Sequence, residues 1–418
     1  MTYGAPIWIK ALKVQANQTM FRKVQRRAML LSTGALPSTP SMTLNRLNNI
    51  PDIIDYLEGE AANNALRLTA YGSWTKEILP DLKGTITSHS KIIDTYIKER
   101  IKPPKGDLDL TVPITNLDRN FSIEIPDRVD ITTTINDNKR FISCYTDGSK
   151  TESGTGYGFL VSQEENIKFE QSSKLPNYCT VYQAEMSAIQ AVAESLLNDQ
   201  TEKENITIFT DSQAALLEMQ ATYIRSKTAI SCLDSLRKLG TKNDVKLIWV
   251  PGHKGYWGNE KADELAKKGA EEGEPVNGYI PHSHFKGKIK DHIRNSSRDK
   301  WSNANAPRIS KLTIDDNKVK EFLKMNRNDS RLAIQILSGH AALNHTLFKY
   351  KCVDSPSCPH CGEGSETVEH FIGTCPYYAR QRGEHLQVYY TNLSDICSQH
   401  SLKQILKFVK KTGRLKKN

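Results

Sequence analysis

Residues 140–161, RFISCYTDGSKTESGTGYGFLV, decide the fold. Two runs within them, RFISCYTD and GYGFLV, are rich in aromatic and β-branched residues and flank a glycine-rich turn, which predicts two consecutive strands. IKFEQSS at 167–173 adds a third. The period then changes. TVYQAEMSAIQAVAESLL, 180–197, keeps apolar residues at helical spacing and opens with Thr180, followed three residues later by Gln183, a capping-box signature. NITIFTD (205–211) reads as a fourth strand, helices follow within 212–219 and 223–239, VKLIWV (245–250) is a fifth strand, and a last helix begins after Gly258. The order β-β-β-α-β-α-α-β-α combines a three-stranded meander with strands joined through helices. It predicts an α/β fold with a mixed five-stranded sheet.

On the N-terminal side, residues 1–110 read as mainly helical. In MFRKVQRRAMLL, Phe21, Val24, Ala28 and Leu31 repeat at helical spacing while Arg22, Lys23, Arg26 and Arg27 fill the other face. A further helix begins near Pro51, with Ile54, Leu57, Ala61, Ala65 and Leu68 as its apolar set. Proline and aspartate mark 111–138 as a linker ahead of the α/β domain at 139–274. Beyond it, 275–330 is a polar connection with a helix around NKVKEFLKM, 331–400 is a small unit holding a cysteine cluster, and 401–418 is a basic tail.

A chain of 418 residues exceeds one ordinary core and implies several domains. No apolar run approaches the roughly 18 residues of a membrane span. The start, MTYGAPIWIKALKVQANQTMF, lacks the apolar core and cleavage site of a secretory signal. The expectation is an intracellular protein, in nucleus or cytoplasm, without membrane contact. Fifty-seven Lys and Arg against 47 Asp and Glu leave +10, which favours polyanionic partners, and the tail KQILKFVKKTGRLKKN suits phosphate contacts. Four of the eight cysteines fall between 352 and 375; in a non-secreted chain this points to metal rather than disulfides.

Four acids stand where a carboxylate is costly. Asp147 and Asp211 each end an apolar strand, followed by Gly148 and Ser212, at the carboxyl ends of strands, beyond which open α/β sheets bind ligands. Glu185 shares a helix face with Val181, Ala188 and Val192, and Asp263 stands three before Ala266 on the last helix, so both face inward and need partners. Like charges brought together raise one another's pKa unless a cation neutralises them. Oxygen ligation suits Mg²⁺ or Mn²⁺, and two ions about 4 Å apart clamp the attacking and leaving oxygens of an in-line phosphoryl displacement. Metal-assisted phosphodiester hydrolysis is the predicted chemistry.

YTDGSK, YQAEMSAI, FTDSQAAL and VPGHKGYWGNEKADELAK resemble, in order, the four motifs of type 1 ribonuclease H domains, and their wording is most similar to jockey-like non-LTR retrotransposon polyproteins. The resemblance covers about 135 of the 418 residues. It implies a ribonuclease H-like sheet, metal binding by Asp147, Glu185, Asp211 and Asp263, and a mobile loop histidine at His253. It further implies cleavage of the RNA strand of an RNA–DNA hybrid by two Mg²⁺ ions, leaving a 3′-hydroxyl and a 5′-phosphate. The residues agree: His253 lies between Gly252 and Gly255 in a loop free to move, and an imidazole titrates near neutrality, as a proton relay requires. Hybrid recognition is expected through backbone and 2′-hydroxyl contacts, with Gly148, Ser149, Gln183 and Asn259 as candidate substrate-binding residues. The 223–245 stretch has little room for an extra basic helix, so substrate grip falls to flanking regions.

CPHCGEGSETVEHFIGTC places Cys358, Cys361, His370 and Cys375 at a spacing suited to tetrahedral, structural Zn²⁺; Cys352 and His360 are competing ligands of lower rank. The cluster resembles the Cys-Cys-His-Cys zinc-binding region that follows ribonuclease H in those retroelements, and Lys349, Lys351, Arg380 and Arg382 beside it are candidate nucleic-acid contacts. YGAPIW and RKVQRRA resemble the stretch that follows reverse transcriptase, while the polymerase signature is missing, since Asp315-Asp316 in LTIDDN lacks its aromatic and lies on the wrong side. The expectation is the C-terminal piece of a polyprotein, without polymerase activity and with a reverse transcriptase as candidate partner. The rival expectations are a non-catalytic nucleic-acid-binding remnant and a DNA nuclease on the same fold.

Overall fold

Among the described residues nine strands form two sheets: β1 (Ile114–Thr115), β2 (Ser122–Glu124), β3 (Ile142–Lys150), β4 (Thr155–Gln163), β5 (Asn166–Leu175), β6 (Asn205–Thr210), β7 (Tyr223–Ile224), β8 (Asp244–Trp249) and β9 (Glu274–Pro275). This computed structural model describes residues 4–71, 95–102, 104–126, 142–163, 166–303 and 308–416. The main sheet has the order β2-β8-β6-β3-β4-β5-β9. β3, β4 and β5 form the antiparallel meander, and β6 and β8 continue parallel to β3. This is the ribonuclease H-like α/β arrangement, with two short edge strands, β2 and β9, added to the expected five.

Four helices cover this sheet: α1 (Val181–Asn198), α2 (Gln213–Gln220), α3 (Lys227–Gly240) and α4 (Trp257–Glu272). Strand alternation sorts their faces. Ile142 and Cys144 of β3 and Phe159 and Val161 of β4 bury against Ala188, Ile189 and Val192 of α1, Leu216 of α2 and Leu233 of α3. Leu160, turned the other way, meets Ala262 and Leu265 of α4. β4 is therefore covered on both sides, and eight consecutive residues, Thr155–Ser162, are buried. α1 begins as expected, with Thr180 and Gln183 forming a reciprocal capping box.

The stretch expected as a linker is structured where described. β2 adds itself parallel to β8, and β1 pairs antiparallel with β7. Asn116, 1% exposed, donates to the carbonyls of Met219 and Ala221 and accepts from Arg237. Residues 127–138 of that linker, and residues 72–94 of the expected helical region, lie outside the described residues.

Packing divides the chain into two units, one within Met1–Ala62 and Ile289–Asn418, the other holding the sheet. The first is helical, and a single core joins Met29, Leu44 and Leu47 to Phe322, Leu337, Phe371 and Phe408. In its helix Gln15–Thr33 the expected apolar face is turned outward: Val24 and Leu31 are 45% and 58% exposed, while Met29 and Thr33 are buried. The cause is polar. Arg22 pairs with Asp52, Gln25 donates to the Pro51 carbonyl and Arg26 to the Thr39 carbonyl, which fastens the opposite side to the following loop. The expected basic tail is likewise ordered as helix Leu402–Thr412. A Ser401–Gln404 capping box starts it, and Leu402, Ile405, Leu406, Phe408 and Val409 are buried. No helix among the described residues is long and apolar enough to cross a membrane.

Candidate active site

Asp147 and Asp211 are neighbours because of register. The last rung of the parallel β3–β6 ladder pairs Thr146 with Thr210, so each acid stands one residue beyond it. Asp147 does not end its strand: β3 runs on to Lys150, held by the antiparallel pairing of Asp147 with Gly158. Gly148 turns to the opposite face. A Cβ there would stand 2.5 Å from the backbone nitrogen of Glu185, so glycine lets the first turn of α1 press onto β3 and brings Glu185 to Asp147. On the other face Gly158 does the same for α4: a Cβ would meet the Ala266 nitrogen at 2.3 Å. That close approach sets Asp263 beside Asp147, whose carboxyl it helps to raise.

Asp147, Glu185 and Asp211 each offer a carboxylate oxygen within 4.8 Å of the others. Asp263 stands just outside this trio, its carboxylate paired at 2.6 Å with Lys267, one helical turn on. Asp147 and Glu185 are 7% and 6% exposed. Burial, then the charges of Asp211 and Asp263, pushes the Asp147 carboxyl up to about 7. Burial and the charges of Asp147 and Asp211 push Glu185 up to about 10. The nearby Gly148 N–H partly offsets both rises. Asp211 is also raised by burial, against the Asn259 amide and the His253 ring, which hold it down. Glu185 Oε2 is buried without a hydrogen-bond partner. A cluster with too many carboxylate oxygens and too few donors fits a hard, oxygen-seeking cation.

The loop after β8 closes the site. The Trp249 indole donates to the Asp211 carbonyl at 3.1 Å, and a Cβ at Gly252 would stand 2.5 Å from Asp211 Oδ2. His253 is exposed, with φ of 54°, at the bend of this loop. Of the four expected substrate contacts, Gly148 and half-buried Ser149 follow Asp147 directly along β3. Asn259, 3% exposed, faces Asp211. Gln183 is committed elsewhere: besides capping α1, its amide donates to Asp109 and to the Tyr279 carbonyl, both at 2.9 Å. Sequence reasoning missed Lys267, although its i, i+4 offset from Asp263 was a signal.

In the helical unit, ligand atoms of Cys358, Cys361, His370 and Cys375 also lie within 4.8 Å of one another. Cys358 and Cys375 sulfurs are 3.8 Å apart, and Cys361 Sγ lies 3.3 Å from His370 Nε2. The lower-ranked Cys352 and His360 are outside the cluster, His360 being stacked on Tyr377. Arg382, an expected nucleic-acid contact, is fully buried.

Residues 139–271 match the RNase H family. A ribonuclease H of Francisella philomiragia is 33% identical, the match covering 31% of this chain and 91% of that protein. With this sheet and this acid constellation, the chain belongs to the ribonuclease H family. Among solved structures, RNase H1 of the archaeon Halobacterium salinarum is 22% identical, covering 31% of this chain and 96% of its own, with a TM-score of 0.26. The N-terminal RNase H domain of a Mycobacterium tuberculosis protein, solved as a fusion with maltose-binding protein, is 16% identical, covering 31% and 98%, with a TM-score of 0.27.

Proposed function

We propose that the chain is a divalent-metal-dependent endoribonuclease that cleaves the RNA strand of RNA–DNA hybrids, within the C-terminal part of a retroelement polyprotein. The observation that carries the reading is the convergence of Asp147, Glu185 and Asp211 around an undonated Glu185 oxygen, with Asp263 one step away. Two bound Mg²⁺ or Mn²⁺ ions would supply charge neutralisation and an in-line clamp on the attacking and leaving oxygens. The protein's own share is positional. Asp147 and Glu185 fix the inner side, Asn259 orients Asp211, and Asp263 completes the set once it parts from Lys267. His253, on its exposed bend, is read as the group that passes a proton to the leaving oxygen. Ser149 and the backbone at Gly148 are the proposed contacts to the RNA 2′-hydroxyls. The cysteine–histidine cluster is read as a structural Zn²⁺ site, since an edge of 3.8 Å between sulfurs suits tetrahedral Zn–S bonds of about 2.3 Å.

The deciding experiment incubates purified protein and Mg²⁺ with a hybrid labelled on its RNA strand. Cleavage that disappears with EDTA and with Asp147→Asn supports the reading. An uncut hybrid in the presence of a cutting control enzyme sinks it and leaves a non-catalytic nucleic-acid-binding protein, while cleavage of duplex DNA would select a DNA nuclease.

A further inference from the structure

Arg382 heads the large side chains that are completely buried, at 0% exposure, on helix Ala379–Leu386. Its Nε donates to the Tyr389 carbonyl at 2.8 Å and its Nη2 to the Cys375 carbonyl at 2.7 Å. The guanidinium lies 5.6 Å from the centre of the Tyr390 ring, and Nη1 has no partner. Among the described residues no carboxylate pairs with it. The contrast is Arg414, in the same unit, which binds both oxygens of fully buried Glu366 at 2.7 and 2.6 Å. The half-buried Arg414 is thus balanced and the fully buried Arg382 is not. A buried charge without a counter-charge is strongly unfavourable, and the fold retains one here beside Cys375.

The missing anion is available in the cluster that Arg382 borders. With its thiols protonated and its imidazole neutral, the cluster has no charge. Binding of a divalent ion releases three thiol protons to solvent and leaves three thiolates around one dication, a net single negative charge. We propose that Arg382 is the counter-cation of this centre, a positioning residue that holds Cys375 through its carbonyl and favours the metal-loaded, three-thiolate state. The inference rests on the reading of the cluster as a Zn²⁺ site. It also explains why this arginine is internal rather than on a nucleic-acid-facing surface.

The test uses the full chain, freed of metal. Co²⁺ is titrated in and followed by its thiolate charge-transfer and d–d absorption, and Zn²⁺ affinity is taken from competition with a chromophoric chelator. Arg382→Met is expected to weaken Zn²⁺ binding roughly 10- to 100-fold, and Arg382→Lys to stay within about threefold of wild type. In a Cys361→His background, whose two-thiolate centre is neutral, Arg382→Met should cost little. Equal affinity of wild type and Arg382→Met, or an undiminished loss in the Cys361→His background, would overturn the counter-cation role while leaving the metal site standing. So would a loss of tenfold or more from wild type with lysine, which decides the matter even if the methionine variant does not fold. Failure of the wild type to bind either ion would overturn the metal site itself and the role of Arg382 with it.

Discussion

Glu185 has the least comfortable position among the acids, buried on α1 with one oxygen undonated and two other carboxylates beside it. Its carboxyl, at about 10, and that of Asp147, at about 7, lie above the values near 4 of an unfolded chain. The folded protein therefore retains protons that the unfolded chain loses above about pH 4. The stability this site allows is present below that pH and is lost as pH rises, through about 7 for Asp147 and further for Glu185. In EDTA, thermal scans across pH 4–8 should show a falling melting temperature, with a shallower fall and a higher value at pH 8 for Asp147→Asn; parallel curves for the two proteins would refute this. Divalent ions should reverse the slope. Lys267 competes for the same space, since its ammonium neutralises Asp263. Its side chain is 55% exposed, so the pair contributes little, and Lys267→Ala should lower the Mg²⁺ concentration for half-maximal cleavage by at most about fivefold. The four acids were legible because each is a charge in an apolar frame. Lys267 was marked only by its i, i+4 offset from Asp263, because a surface lysine has no such contrast.

At the level of elements, the close approach of α1 to β3 is set by one residue. Gly148→Ala would place a methyl 2.5 Å from a backbone nitrogen that cannot yield locally. It should lower both melting temperature and turnover, the latter by more than about tenfold, through displacement of Glu185. The strand–helix succession from 142 to 272 was readable because β3–β6 and β8 are six to ten residues long and its helices periodic, whereas the two-residue β7 takes the first positions of the helix expected within 223–239, which begins only at Lys227. β1 and β2 were not: two and three residues long in a proline-bearing segment, they owe their form to β7 and β8 rather than to their own pattern. The outward turn of Val24 and Leu31 escaped for a related reason, since periodicity marks an apolar stripe but not the arginine and glutamine bonds that bind the other side. Residues 105–126 accordingly belong to the nuclease unit. Asn116→Ala should destabilise it by about 1–3 kcal/mol in urea titration, as expected for a buried amide with three partners. A fragment limited to 139–271 should unfold at lower denaturant than one beginning at 105.

For the whole molecule, two units with separate cores and separate candidate metal centres should respond to separate ligands. Calorimetry is expected to resolve two transitions, one lowered by removal of Zn²⁺ and the other raised by Mg²⁺; a single transition moved by both ions would contradict this. The helical core also has a temporal consequence. Met29, Leu44 and Leu47 share a core made mostly of residues from Ile314 onward. During synthesis at 5–20 residues per second, the roughly 270 intervening residues take about 15–50 s to appear, and the sheet, encoded between, is finished first. For that interval the N-terminal helices present bare apolar surface to the cell, which makes them the segment of the nascent protein most in need of a chaperone.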